Sequence, residues 1–164
     1  MRKPVIGVMG GANVDHHVAQ RAHRLGTLIA QRGWVLLNGG RNQGVMAASA
    51  KGAAQAGGTV LGILPDNDTH NASPDLDFAI VTGLGDARNV VNILSSDVVI
   101  ACPGSAGTLS EVALALKNKK RVILLGFDAG SALEPYRASA MLTDAASPED
   151  AVQQAAAALD RHPH

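Results

Sequence analysis

Short apolar runs alternate with segments of helical periodicity along most of the chain. Val5–Met9 is apolar and ends in Gly10-Gly11, which predicts a strand. Val14, Val18, Ala22, Leu25 and Leu28/Ile29 then recur at three- and four-residue spacing, one face of an amphipathic helix. Gly33 stands just past it, where a helix C-terminus favours glycine. Residues 34–37 predict a second strand, ending in Asn38-Gly39-Gly40, and 44–56 a helix of small residues able to lie close to a sheet. Thr59–Leu64 predicts a third strand, stopped by Pro65; 65–77 reads as a surface loop and Phe78–Val81 as a short strand. A helix over 85–95, a strand over 97–102, a helix carrying Leu109, Val112, Ala113 and Leu116, and a strand over 121–125 follow. Residues 126–146 leave the element type open, with a short strand expected near 138–142. Ser147-Pro148-Glu149-Asp150 opens a last helix running to about Asp160: a cap, a proline at the first position, then acids at the positive end.

Continuous apolar strands alternating with helices imply a parallel sheet covered on both faces. The expected fold is one α/β domain over residues 1–164, a three-layer Rossmann-like sandwich with a mostly parallel six- to seven-stranded sheet. Ligands of such sheets bind beyond the carboxyl ends of the strands, near the switch point in strand order.

Composition removes several function classes. Lys+Arg and Asp+Glu both number 14, without a basic block, so attraction to a nucleic-acid backbone is not expected. Trp34, Phe78, Phe127 and Tyr136 are too few for a base-stacking platform. Cys102 is the only cysteine, which excludes an internal disulfide and a cysteine-based zinc site. Cys102 itself reads as a small buried apolar residue, and Trp34 as core. His16 and His17 are adjacent and point to different helix faces; with His23 they read as solvated, and His162 and His164 as part of a frayed tail. No metal site is expected. No apolar run approaches about 18 residues, and the N-terminus lacks a signal-peptide core, so no membrane association is expected and the cytosol is the expected compartment.

Glycine placement carries the functional signal. Gly10-Gly11-Ala12-Asn13, Gly39-Gly40-Arg41-Asn42-Gln43-Gly44 and Pro103-Gly104-Ser105-Ala106-Gly107-Thr108 each follow a strand and open a helix. Each also reads as a tight strand-to-helix turn that needs glycine anyway. Together they point to a phosphate-bearing ligand, because glycine admits close backbone approach and helix N-termini offer free N–H groups. Neither GxxxxGK[ST] nor a regular GxGxxG is present, and Asn38-Gly39-Gly40 stands where a dinucleotide fold places its ribose-binding acid. Thr108 reads as a phosphate contact or a plain helix cap, Glu111 as a ribose or transition-state contact or a first-turn acid. Arg88 reads as a phosphate clamp or a surface salt bridge.

Gly39 to Met46 resembles the GGGxxGxM segment of the LOG-like (SLOG) superfamily, and Pro103 to Glu111 its PGGxGTxxE motif. The superfamily includes the "lysine decarboxylase-like" proteins and the cytokinin-activating nucleoside 5′-monophosphate phosphoribohydrolases. Gly83 to Asn89 and the short length resemble a smaller branch that contains the molybdenum cofactor carrier proteins. The resemblance covers roughly residues 4–125. In the hydrolases an Arg fifteen positions before the motif proline and the motif's final Glu form the functional pair, which places those roles on Arg88 and Glu111. The hydrolases follow that Arg with Lys, where this chain has Asn89; Ser105 and Arg41 replace motif glycines. These departures favour a binding protein for a nucleotide-like or pterin-like phosphate over a hydrolase. The ligand set implied is Gly10, Gly11, Gly39, Gly40, Arg41, Gly44, Arg88, Asn89, Gly104, Ser105, Ala106, Gly107, Thr108 and Glu111. Arg41 adds a second cation suited to a strongly anionic ligand. No cofactor is required, the molybdenum cofactor being a carried ligand. The resemblance further implies a homodimer or homotetramer, with the helices over 44–56 and 85–95 expected at the contacts.

Overall fold

The computed structural model describes residues 1–161. Seven strands alternate with six helices: β1 (Val5–Met9), α1 (His16–Gln31), β2 (Val35–Asn38), α2 (Gly44–Gln55), β3 (Thr59–Leu64), β4 (Phe78–Val81), α3 (Arg88–Ser95), β5 (Val98–Ala101), α4 (Ala106–Lys117), β6 (Arg121–Leu124), α5 (Glu134–Ala138), β7 (Leu142–Asp144) and α6 (Pro148–Asp160). The strands form one sheet in the order β4-β3-β2-β1-β5-β6-β7, and every pairing is parallel. The chain winds outward from β1 to β4, then returns to lay β5 against the other side of β1. The switch point therefore lies between β1 and β5, and a crevice opens beyond their carboxyl ends.

The apolar runs are buried on both faces, as a parallel sheet requires. Ile6, Val8, Leu36 and Ile100 pack with Leu25 and Ile29 of α1 and Ala151 and Ala155 of α6. Leu37, Val99 and Leu124 pack on the other face with Ile93 of α3 and Val112 of α4. The small residues of α2 let it lie against α1. A Cβ on Gly26 would sit 2.0 Å from the Ser49 carbonyl oxygen, and one on Gly52 2.0 Å from that of His23. Among the described residues, no helix is long and apolar enough to cross a membrane.

Most expected bounds shift by a residue or so, and three places differ for a physical reason. Trp34 stands just outside β2, half-buried, with the Arg32 guanidinium 5.6 Å from its ring centroid. The helix expected from residue 85 begins as a 3-10 turn over Gly85–Ala87 and becomes α-helical at Arg88. The strand expected near 138–142 is displaced to β7, because α5 and a turn through Ala140 at φ +57° occupy most of that stretch. Residues 65–77 form no regular element, but the loop is tied down: Ser73 N–H donates to the Gly40 carbonyl at 2.8 Å. Ser147 caps α6, accepting from Asp150 N–H at 3.1 Å, with Pro148 at the first position. His162 and His164 lie outside the described residues.

Candidate functional site

Three glycine turns meet at the carboxyl ends of β1, β2 and β5. Gly11 N–H donates to the Pro103 carbonyl at 2.9 Å, joining the β1 turn to the β5 turn. Val45 N–H donates to the Gly11 carbonyl at 3.0 Å, joining it to the start of α2. Gly44 turns at φ +50°, and a Cβ there would lie 2.1 Å from the Gly11 carbonyl oxygen. One on Gly104 would lie 2.0 Å from Thr108 Oγ1 and 2.9 Å from Gly11 N. The turns thus approach at distances only glycine permits. They enclose a cavity of about 190 Å³ lined by Gly10, Gly11, Gly39, Met46, Asp86, Arg88, Asn89, Ser105, Gly107, Thr108 and Glu111. A second hollow of about 430 Å³ shares Gly11, Ala12 and Ser105 with it and extends past Gly104 toward α1.

The first turn of α4 faces this cavity with its donors free. Ser105 holds the cap position, in extended conformation, but its side chain caps nothing. Thr108 is therefore not the cap: it is the third helical residue, 4% exposed, with its hydroxyl against Gly104. Hydrogen bonding of the helix begins with Leu109 N–H to the Ser105 carbonyl. The N–H groups of Ala106, Gly107 and Thr108 have no partner among the described residues. Unpaired N–H groups and the positive end of the helix dipole suit an anion.

Arg88 and Glu111 complete the lining from opposite helices. Arg88 is the first residue of α3, and its Nη1 donates to the carbonyls of Gly39 (2.6 Å) and Ile63 (2.5 Å). Those bonds fix the guanidinium at the cavity wall. Burial lowers the Arg88 pKa, and Glu111 opposes that. Glu111 is 8% exposed, and burial pushes its carboxyl up to about 7, against the pull of Asn92 and Arg88. Asn92, fully buried, donates from Nδ2 to Glu111 Oε1 at 3.3 Å. Asn92 Oδ1 is buried without a partner among the described residues, at a typical cost of about 1–3 kcal/mol.

Other residues of the expected ligand set stand elsewhere. Arg41 pairs with Asp66, Nη2 to Oδ1 at 2.5 Å and Nε to Oδ2 at 3.0 Å. It lines an adjacent polar groove of about 600 Å³ with Asp66, Asp86 and Arg88. Gly40 turns at φ +79° without lining the cavity, whereas Ala106 begins α4 and contributes one of the free N–H groups of its first turn. Met46 and Asp86, which line the cavity, and Asn92, which bonds Glu111, are marked as site residues by no reading of the sequence above. Asn92 had one signal, a polar residue four positions after Arg88 on the same helical face. His16 and His17 are exposed, and His23 bonds Gln55 Oε1 at 2.8 Å. Cys102 is buried, its thiol pushed up to about 12 by desolvation. Among the described residues, no three His, Cys, Asp or Glu side chains gather as a metal-binding group.

Known proteins are similar to this chain, two of them in solved structure. The molybdenum cofactor binding protein from Rippkaea orientalis is 53% identical, with a TM-score of 0.90, over 96% of this chain and 98% of that one. The molybdenum cofactor carrier protein of Chlamydomonas reinhardtii is 44% identical, with a TM-score of 0.89, over 97% and 99%. A cytokinin riboside 5′-monophosphate phosphoribohydrolase of Mycobacterium tuberculosis is 34% identical over 110 residues, 65% of this chain and 59% of that protein. The model of the SLOG cluster4 family matches residues 3–155, glycine turns, Arg88 and Glu111 included, and the chain belongs to that family.

Proposed function

We propose that this chain is a binding protein for a phosphate-bearing, nucleotide-like or pterin-like small molecule, with the molybdenum cofactor as the carried ligand. The observation that carries this reading is the open first turn of α4, set across a small cavity from an anchored Arg88. A phosphate accepts from the N–H groups of Gly107 and Thr108 and from the Thr108 hydroxyl, while Arg88 supplies the positive charge. The volume of about 190 Å³ suits a phosphate and its ester linkage, and the adjoining 430 Å³ hollow takes the larger ring system. The two carrier-type neighbours, similar over nearly their full length, support the pterin ligand.

A second reading has its own observation. Glu111 lines the same cavity as Arg88, and in its ionised form it is the type of group that stabilises an oxocarbenium-like centre in N-glycosidic cleavage. On that reading the chain is a nucleoside 5′-monophosphate phosphoribohydrolase. Asn89, Ser105 and Arg41 stand against it, and Arg41 is already engaged by Asp66.

The protein works as a homo-oligomer in the cytosol on this proposal. Val90 and Leu94 of α3, Leu109 of α4 and Phe78 and Ile80 of β4 are apolar and exposed. The small residues of α2, by contrast, are taken up by α1 within the chain.

Mass spectrometry of small molecules released from natively purified protein tests the ligand class. A pterin or nucleotide phosphate at near-stoichiometric amount is the expected result. Release of only non-phosphorylated compounds would contradict it.

A further inference from the structure

Asn92 is fully buried on α3, one turn after Arg88, and bonds Glu111 through Nδ2 while its Oδ1 lacks a donor. The side chain of Ser96 donates to the Asn92 carbonyl at 2.8 Å, which ties the helix backbone at that turn. Buried acceptors are nearly always paired, so the orphan oxygen calls for an account. A carboxamide carries a donor and an acceptor of almost identical shape, and a half-turn exchanges them. In the observed orientation Asn92 donates to a carboxylate. Turned over, it presents Oδ1 to the O–H of a carboxylic acid. Leucine could serve neither form.

We propose that Asn92 is a positioning residue that keeps Glu111 hydrogen-bonded whether the carboxyl is ionised or protonated, so that Glu111 exchanges a proton with solvent when an anion occupies the cavity. The proton exchange rests on the reading of this cavity as an anion site; the Asn92–Glu111 pairing does not. The surroundings of Glu111 support a carboxyl poised between its two forms. Burial lifts its pKa to about 7, where both are populated. From α3 it meets Arg88, which favours the carboxylate; Met9 and Gly10 at the end of β1 and Thr108 on its own helix carry no charge. Asp86 lines the same cavity and acts on Arg88. A phosphate placed beside Glu111 disfavours the carboxylate and so draws a proton onto it.

The test is carbon- and nitrogen-detected NMR of the full chain across pH. The Glu111 carboxyl is expected to titrate near pH 7. The Asn92 side-chain amide resonances should move with the same midpoint, and should stop moving in Glu111→Gln. In Asn92→Leu, which keeps the side-chain shape, the Glu111 midpoint should rise, because the bond Asn92 gives the carboxylate is charge-assisted and stronger than the one it accepts from the acid. Asn92 resonances that ignore the Glu111 midpoint, or an unchanged midpoint in Asn92→Leu, would overturn the pairing. Should Asn92→Leu not fold, the wild-type resonances decide alone. Saturating AMP should then raise the Glu111 midpoint. AMP that binds without moving it overturns the proton exchange. AMP that does not bind at all counts against the anion site and leaves the pairing result standing.

Discussion

The Glu111 carboxyl is held at 8% exposure with one amide and one guanidinium for company, and its pKa rises from 4.5 to about 7. In the unfolded chain it ionises at the lower value, so between those values the folded state holds a proton that the unfolded state has lost. Its contribution to stability is fully present below about pH 4.5 and falls as pH rises through about 7. Ionised, the buried group costs on the order of 3 kcal/mol. Glu111→Gln, which cannot ionise, should therefore be more stable than the parent above pH 7 and equal to it near pH 4. Urea midpoints measured across pH check this; parallel curves for the two proteins would contradict it. Arg88→Ala and Thr108→Val should each weaken binding of a molybdopterin preparation by about 1.5–3 kcal/mol, the loss of a charge-assisted or buried hydrogen bond, as read by calorimetric titration. Glu111→Gln should bind that anion as tightly or better. Arg88 and Glu111, which the structure brings to one cavity, were singled out in the sequence through the family resemblance, which carries over their positions relative to the Pro103 motif. The Arg41–Asp66 pair was not, because the loop that delivers Asp66 has no periodicity to read.

The first turns of α2 and α4 depend on glycines at the scale of the element. Gly44 starts α2 at φ +50° with the Gly11 carbonyl 2.1 Å from any added Cβ. Gly44→Ala combines backbone strain with a collision against main chain that cannot swing away. It should cost roughly 1–3 kcal/mol and lower the melting temperature. Calorimetric scans check this, and an unchanged melting temperature would contradict it. Elements with continuous apolar runs, such as Val5–Met9 and Thr59–Leu64, were legible to the residue because an unbroken apolar run, flanking glycine or proline, and burial agree there. The segment before β7 was not legible. Glu134–Ala138 is a single short helical turn with no buried residue, so no apolar period marks it.

For the molecule as a whole, the sheet order explains why the site lies where it does. Two parallel windings leave β1 in opposite directions, and only at their junction can turns from β1, β2 and β5 converge. Alternation of strands and helices revealed the fold class, but strand order depends on long-range pairing that local patterns do not encode. The same arrangement leaves Val90 and Leu94 on the outer side of α3 and Phe78 and Ile80 on the edge strand β4. Light scattering should give a whole-number multiple of the 16.8 kDa chain, and Leu94→Glu should shift it toward the single chain. A parent protein that scatters as 16.8 kDa alone would contradict a homo-oligomer.

On the proposed function, the α4 turn and Arg88 together hold a phosphate-bearing ligand, and no N-glycosidic bond of a nucleotide is cleaved there. Parallel titrations of AMP and a molybdopterin preparation into the parent protein and Arg88→Ala, each followed by chromatography for free base, test it most directly. Saturable binding of the molybdopterin preparation, weakened at least about tenfold in Arg88→Ala, with no adenine released from AMP, is the predicted result. Adenine release that disappears in Glu111→Gln, or binding indifferent to Arg88, would contradict it.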